Sequence, residues 1–425
     1  EGSSDFIYVL DPDGCFIFAN SEIGHLLGYS PEEVIGRHYA EILHPEDVDR
    51  AGRAFHERRT GDRAARRMEV RLRSRGGVTR DVEMDVRHFS FSAHGLYRGT
   101  DFVGTHGVAR DITERKYQES KRVVMQQVRE GVWSIVGNGL SNQNFVEGPG
   151  GLIAIDTGES IQEMAWSLDA MTRVTDAPVV AVIYTHSHYV GGTAAISGAG
   201  DHIAIWGHER ITINRQRTGL DLSASATRGA VHQFGLLLDS DGPDGLVNIG
   251  LGESFRRADH APHEVGFIPP TETIDSTCSA TIAGLRVEFT PAPSDADDSL
   301  TIWFPELETA IHNIAWPSLF NIFAIRGEPY RDPAVLVTGL DHLRSLGAAH
   351  LVCAHGVPIS GAADIDTELA LYRDSIQFMW DQTVRGVNKD LTVAELADTV
   401  QLPEVFHRGT LTRQLYGIAE HHVRQ

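Results

Sequence analysis

Cysteine is scarce in this 425-residue chain. The three present, Cys15, Cys278 and Cys353, lie far apart and are odd in number. None stands in a CxxC spacing, so neither a disulfide framework nor a thiolate metal site is expected. Such scarcity fits a reducing cytoplasm, the location we expect. Positive charge is short as well: 37 basic residues face 58 acidic ones, a formal net charge of −21. That balance argues against nucleic acid or an anionic membrane surface as the main partner. Apolar runs of membrane length and the marks of a signal peptide are also lacking. The chain opens at Glu1 rather than Met, which fits a trimmed sequence. Its length suits two or three domains.

The clearest chemistry lies in Ala181-Val182-Ile183-Tyr184-Thr185-His186-Ser187-His188-Tyr189-Val190-Gly191-Gly192. The apolar run from Pro178 to Ile183 is short and β-branched, the pattern of a buried strand. Residues i and i+2 of an extended chain share a side, so His186 and His188 can face one point. Two converging imidazoles suit Zn or Fe. Gly191-Gly192 lets the chain turn tightly beneath them. The competing reading is a pair of solvent-facing loop histidines. The position behind a buried strand favours the metal.

Residues 5 to about 115 form a separate region. Asp5–Asn20 reads as a strand, an Asp11-Pro12-Asp13-Gly14 turn and a second strand. Short helices follow at Ser21–Leu27 and after Ser30-Pro31, and His44-Pro45-Glu46-Asp47 opens another through about Arg58. Met68–Ser74, Thr79–Phe91 and Asp101–Asp111 are strands, the first two joined by a hairpin at Arg75-Gly76-Gly77. The segments Val9–Gly14, Gly28–Gly36, His44–Asp47 and Gly107–Arg115 resemble a PAS domain. The resemblance implies a sensory unit that binds haem, flavin or a small metabolite, or that binds nothing and dimerises. His56 stands where some haem-binding members place a ligand. The alternative for His56 is an exposed side chain on a basic helix.

Residues 116–130 are polar and helix-prone, and we expect a linker helix there. Strand patterns then recur at Val132–Val136, Asn144–Glu147 and Gly151–Gly158. An amphipathic helix is expected over Ser160–Thr172, with Ile161, Met164, Leu168 and Met171 on one side. Strands, helices and a second strand-rich half point to two packed sheets covered by helices.

Ile155-Asp156-Thr157-Gly158 followed by Thr185-His186-Ser187-His188 resembles the metallo-β-lactamase superfamily. Val231–Gly235, Gly266–Ile274, Val287–Pro291, Leu319–Gly327 and Asn388–Thr392 narrow the resemblance to its alkylsulfatase branch. The expected fold class is α+β: a PAS domain (1–115), a linker (116–130), an αββα sandwich (131–365) and a helical dimerisation region (366–425). The resemblance implies a homodimer. The family usually continues beyond the point where Gln425 ends this chain.

The departures from the family are specific. The family has His-x-His-x-Asp-His before Gly-Gly; here the Asp-His pair, which binds the second metal, is missing. Its bridging Glu aligns with Asn313, beside His312. Its last His matches His355. The first-metal carboxylate falls on Asp295, with Asp297 and Asp298 as alternatives. The resemblance thus implies one divalent metal, Zn or Fe, on His186, His188 and Asp295, with His355 as a fourth ligand, a supporting partner or an acid–base group. Arg326 matches a family Arg-Gly segment and, with Asn144 and Asn321, would hold a sulfate group of a small-molecule substrate.

Three functions follow. One-metal hydrolysis of a sulfate or related ester is the first. Two His and one carboxylate also suit a mononuclear non-haem Fe(II) oxidase, with haem or flavin in the PAS domain as the second. A PAS-regulated binding protein without catalysis is the third. Trp133, Trp206, Trp303, Trp316 and Trp380 are expected in cores or interfaces, and His260 and His263 in a polar loop.

Overall fold

The computed structural model of the protein describes residues 5–48, 51, 68–75, 86–111, 123–217, 223–235, 237–238, 251, 257–294, 296–317, 319 and 330–425. The chain divides into two compact units, Glu1–Arg122 and Val123–Gln425.

In the first unit, strands β1 (Phe6–Leu10), β2 (Phe16–Ala19), β3 (Met68–Arg73), β4 (Val86–Arg98) and β5 (Asp101–Asp111) make one antiparallel sheet in the order β2-β1-β5-β4-β3. The first turn forms because the Asp11 carboxylate accepts the backbone N–H groups of Asp13 and Cys15 at 3.0 and 2.9 Å, an Asx turn. Helix α1 (Glu22–Leu27) stops at Gly28, whose φ of 78° is the left-handed cap. Helix α2 (Pro31–Val34) starts with a capping box between Ser30 and Glu33. Alternate residues of the sheet, among them Tyr8, Leu10, Phe89 and Phe91, pack with Phe16 and the helices into one core. The segment His44–Asp47 opens a single 3-10 turn, Pro45–Asp47. The rest of the helix expected there, His56 included, lies outside the described residues.

In the second unit, β6 (Val124–Arg129), β7 (Val132–Val136), β8 (Gln143–Gly148), β9 (Gly151–Ile155), β10 (Val179–Ile183), β11 (Ala204–His208) and β12 (Glu272–Ile274) form one sheet in the order β12-β11-β10-β9-β8-β7-β6. The linker helix expected over 116–130 is therefore corrected at its carboxyl half. Residues 124–129 are an edge strand paired antiparallel with β7, and 112–122 lie outside the described residues. The second sheet runs β13 (Cys278–Ile282), β14 (Leu285–Pro291), β15 (Leu300–Phe304), β16 (Thr309–His312), β17 (His350–Cys353) and β18 (Ile359–Ser360), in that order.

The inner faces of the two sheets share a core of Val146, Ile153, Ile155, Ile183, Phe289, Ile302 and Ile311. Trp206 stacks on Phe289 across that core, 5.7 Å between ring centres and 7° from parallel. Helix α3 (Ile161–Met171) covers the first sheet through Met164 and Met171. Helices α4 (Ile211–Gln216) and α5 (Ser223–Phe234) follow β11. The second sheet is covered by α6 (Pro333–Ser345) and the 26-residue α7 (Ala362–Val387), through Leu336, Leu340, Leu369 and Ile376. Short helices α8 (Val393–Thr399) and α9 (Ala419–Arg424) complete the helical end. Among the described residues, no helix is long and apolar enough to cross a membrane.

Candidate active site

Backbone ties draw the two sheets together at one end of the sandwich. The Leu300 N–H donates to the Thr185 carbonyl at 2.8 Å. Asn142 bonds through its backbone N–H to Ala354 at 2.7 Å, and through its amide to the Cys353 and Gly356 carbonyls at 3.0 and 2.7 Å. The segments after β9, β10, β14 and β17 meet there, and they carry the polar side chains.

Asp156 ends β9 with φ 55°, a left-handed conformation that Asp tolerates better than most residues. Its carboxylate accepts the Thr185 backbone N–H at 2.8 Å and the Thr185 hydroxyl at 2.6 Å. That hydroxyl has one proton, and the carboxylate takes it. The contact of 2.8 Å between the Thr185 oxygen and His186 Nδ1 is therefore donated by His186. The neutral ring then has its lone pair on Nε2, the tautomer of a metal ligand supported from behind. His186, Thr185 and Asp156 are all fully buried. Gly191 and Gly192 close the turn because there is no room for more: a Cβ would strike the Glu159 carbonyl at the first and the Thr157 carbonyl at the second.

His188 is half-buried, with its ring centre 4.8 Å from that of His186. The expected third ligand, Asp295, lies outside the described residues. Of its two alternatives, Asp298 reaches the motif: fully buried, it accepts the Ser187 backbone N–H at 3.1 Å and the Asn214 amide at 2.8 Å. Burial pushes its carboxyl above the ordinary value, against the pull of Asn214, Ser187 and the nearby His188. Asp297 accepts from the same Asn214 amide at 2.6 Å and pairs with Arg210 at 2.6 Å. His208, at the end of β11, accepts the Arg210 N–H at 3.1 Å. Burial lowers its pKa, and Asp298 is the largest influence opposing that.

His355 is buried between two partners. Its Nδ1 donates to the Leu140 carbonyl at 2.9 Å, and its Nε2 stands 3.1 Å from the Tyr189 hydroxyl. The Trp316 ring lies 4.5 Å from the His355 ring, centre to centre. His312, beside Asn313, does not fit the role of a substitute ligand. Its Nδ1 accepts the Ile314 N–H at 3.1 Å, so the neutral ring carries its proton on Nε2. Complete burial pulls its pKa down to about 3. Asn313 uses its backbone carbonyl to accept from Ser294 and Trp316.

Asn144 is fully buried on β8, opposite Ser134 and Ile155. Cross-strand partners share a face, and Ile155 belongs to the inter-sheet core, so Asn144 points between the sheets. Neither polar atom of its amide finds a hydrogen-bond partner among the described residues. Such a group costs about 1–3 kcal/mol to bury. Arg326 and Asn321 lie outside the described residues.

The donor chemistry of His186 and His188 fits one metal ion. As the side chains stand, no three His, Cys, Asp or Glu among the described residues converge on one point. Asp298 is turned toward Ser187 and Asn214 instead. Sequence reasoning missed the supporting layer of Thr185, Tyr189, His208 and Asn214. Only Thr185, adjoining the histidine motif and following Asp156-Thr157-Gly158, left a legible signal.

Residues 1–117 match the PAS fold family. The chain is 35% identical over 293 residues to a linear primary-alkylsulfatase of Pseudomonas sp., covering 66% of this chain and 54% of that protein. It is 30% identical over 319 residues to the alkyl/aryl-sulfatase BDS1 of Saccharomyces cerevisiae, covering 70% of this chain and 47% of the other. The chain thus spans about half the length of the curated relatives it matches. The solved stereoselective inverting sec-alkylsulfatase Pisa1 from Pseudomonas sp. has the same fold over 73% of this chain and 50% of its own, with a TM-score of 0.67 and 23% identity. By sequence and fold, then, the first unit matches the PAS fold family, and the second is similar in sequence to alkylsulfatases and shares the fold of a solved sec-alkylsulfatase.

Proposed function

We propose that the second unit hydrolyses a sulfate ester of an alkyl alcohol, with one divalent metal, Zn or Fe, on His186, His188 and a carboxylate of the 295–298 loop. The observation that carries this reading is the Asp156–Thr185–His186 chain. It spends a buried carboxylate on fixing the imidazole tautomer that binds metal. The metal would act as a Lewis acid and lower the pKa of a bound water toward about 7. Asp295 is the proposed carboxylate and lies outside the described residues; Asp298 is the described carboxylate beside the pair. The Asn144 amide, buried with no partner among the described residues, would donate to a sulfate oxygen, with Arg326 and Asn321 as further anchors. His355, held by Leu140 and Tyr189, serves as a proton-holding neighbour. The Trp316 indole beside it offers an apolar wall for the alkyl chain.

The PAS unit is proposed to regulate this activity. Haem or flavin in that unit is part of the proposal; His56 lies outside the described residues. A homodimer through the helical end is also part of the proposal, supported by Trp380, Val384, Val387 and Val393 exposed there. The test is sulfate release from primary and secondary alkyl sulfates, measured by ion chromatography after metal reconstitution. Release that is lost in His186→Ala supports the reading. Iron-dependent oxygen uptake without sulfate release would replace it with the oxidase. Neither activity, with no metal retained, would leave the non-catalytic binding protein.

A further inference from the structure

In this chain Tyr189 stands directly after the histidine pair, in the stretch where the alkylsulfatase-like resemblance expects the Asp-His pair of a second metal. Tyr189 follows His188 directly and is only 4% exposed. Its ring centre lies 5.0 Å from His186, 6.0 Å from His188 and 5.1 Å from His355, at interplanar angles of 80°, 82° and 88°. The phenol therefore stands between the histidine pair and the last histidine of the set, edge or face toward each. Because His355 Nδ1 donates to the Leu140 carbonyl, the lone pair of the neutral ring is on Nε2. The Tyr189 hydroxyl lies 3.1 Å from that atom and donates into it. A metal at His355 needs the same lone pair.

Tyr189 is not placed to swing aside. Its carbonyl accepts the Thr157 N–H at 2.8 Å, and the next residue, Val190, bridges to Gly158. The ring belongs to a core with Leu140, Ala315, Trp316 and Leu319. Nor do neighbours offer a replacement ligand: His312 Nε2 carries a proton, and Asn313 stands where a carboxylate would be needed.

We propose that the Tyr189 side chain has taken the place of the second metal ion, so that the chain accepts one metal and excludes another at His355. The proposal rests on the metal-site reading above. It makes the missing Asp-His pair a substitution rather than a gap: the shortened loop brings a phenol to the vacated position, and the phenol satisfies the histidine left behind.

The test is the metal content of the full-length chain after Zn²⁺ loading, by elemental analysis and calorimetric titration. Wild type takes one equivalent, Tyr189→Phe also takes one because the ring still fills the space, and Tyr189→Asp takes a second that His355→Ala removes again. Two equivalents in wild type would overturn the proposal and leave the metalloenzyme reading standing. So would a folded Tyr189→Asp that stays at one. No metal in wild type but one in Tyr189→Asp, lost on adding His355→Ala, would support the proposal while sinking the metal-site reading. No metal in either would overturn both. Should Tyr189→Asp fail to fold, ¹⁵N imidazole spectra of zinc-loaded wild type decide. His355 Nε2 keeps its hydrogen-bonded position if Tyr189 excludes metal, and shifts to the metal-bound position if it does not.

Discussion

At the scale of single residues, the site rests on hydrogen bonds whose direction is forced. Thr185 has one proton and Asp156 takes it, so His186 must donate from Nδ1. Thr185→Val removes that link and leaves the Asp156 carboxylate buried without the hydroxyl. We expect the second unit to lose about 1–3 kcal/mol in denaturant unfolding, and metal affinity to fall about 10–100-fold. Asn144 makes the opposite trade. Asn144→Leu removes an amide with no partner among the described residues, so stability should hold or rise while KM for an alkyl sulfate increases. A destabilised variant with unchanged KM would show that the amide serves the fold alone. The histidine motif was legible because a buried strand delivers it. The choice among Asp295, Asp297 and Asp298 was not. Three carboxylates within four positions look alike in sequence; the fold puts Asp298 on the Ser187 N–H and Asp297 on Arg210, both also on the Asn214 amide, while Asp295 lies outside the described residues.

At the scale of elements, periodicity read well wherever a segment has a clear inside and outside. Strand β10, flanked on both sides by parallel neighbours, is apolar throughout and was recognisable for that reason. Helix α3 was legible from its spacing, and Ser160 caps it by accepting the Glu163 N–H at 3.2 Å. Strand β6 misled. It lies at the edge of its sheet, half-exposed, and it follows the polar run Glu114–Arg122 that carried the helix reading. The Gly191-Gly192 turn is fixed by space rather than by left-handed backbone. Gly192→Ala would push a methyl onto the Thr157 carbonyl and the Ser160 carbonyl. We expect a loss of about 1–3 kcal/mol, accompanied by weaker metal binding, because the displaced turn carries His188. Unchanged metal affinity in a destabilised Gly192→Ala would separate the turn from the site.

At the scale of the whole molecule, the division into two units makes the second separately observable. All six tryptophans, from Trp133 to Trp380, fall in Val123–Gln425, so tryptophan fluorescence follows that unit's unfolding. His312 ties its stability to pH. Burial holds the folded-state pKa at about 3, against an ordinary 6.5. The unfolded chain therefore binds the proton first. The contribution is whole above pH 6.5 and falls by about 1.4 kcal/mol per pH unit below it, down to pH 3. His312→Gln should flatten the acid side of the fluorescence-detected stability profile. Equal slopes for the two proteins would place the His312 ring in water. The architecture of PAS fold and sandwich could be read from the order of short motifs. The substitution of a phenol for a metal could not, because it depends on Tyr189 and His355, 166 residues apart in sequence, meeting at one end of the sandwich.

The central claim is that one metal per chain suffices for sulfate ester hydrolysis. It is tested most directly by following sulfate release from an alkyl sulfate while metal is titrated into the metal-free protein. The account predicts no release without metal, a linear rise, and a plateau at one equivalent per chain. Release without metal, or a rise that begins only with the second equivalent, would contradict it.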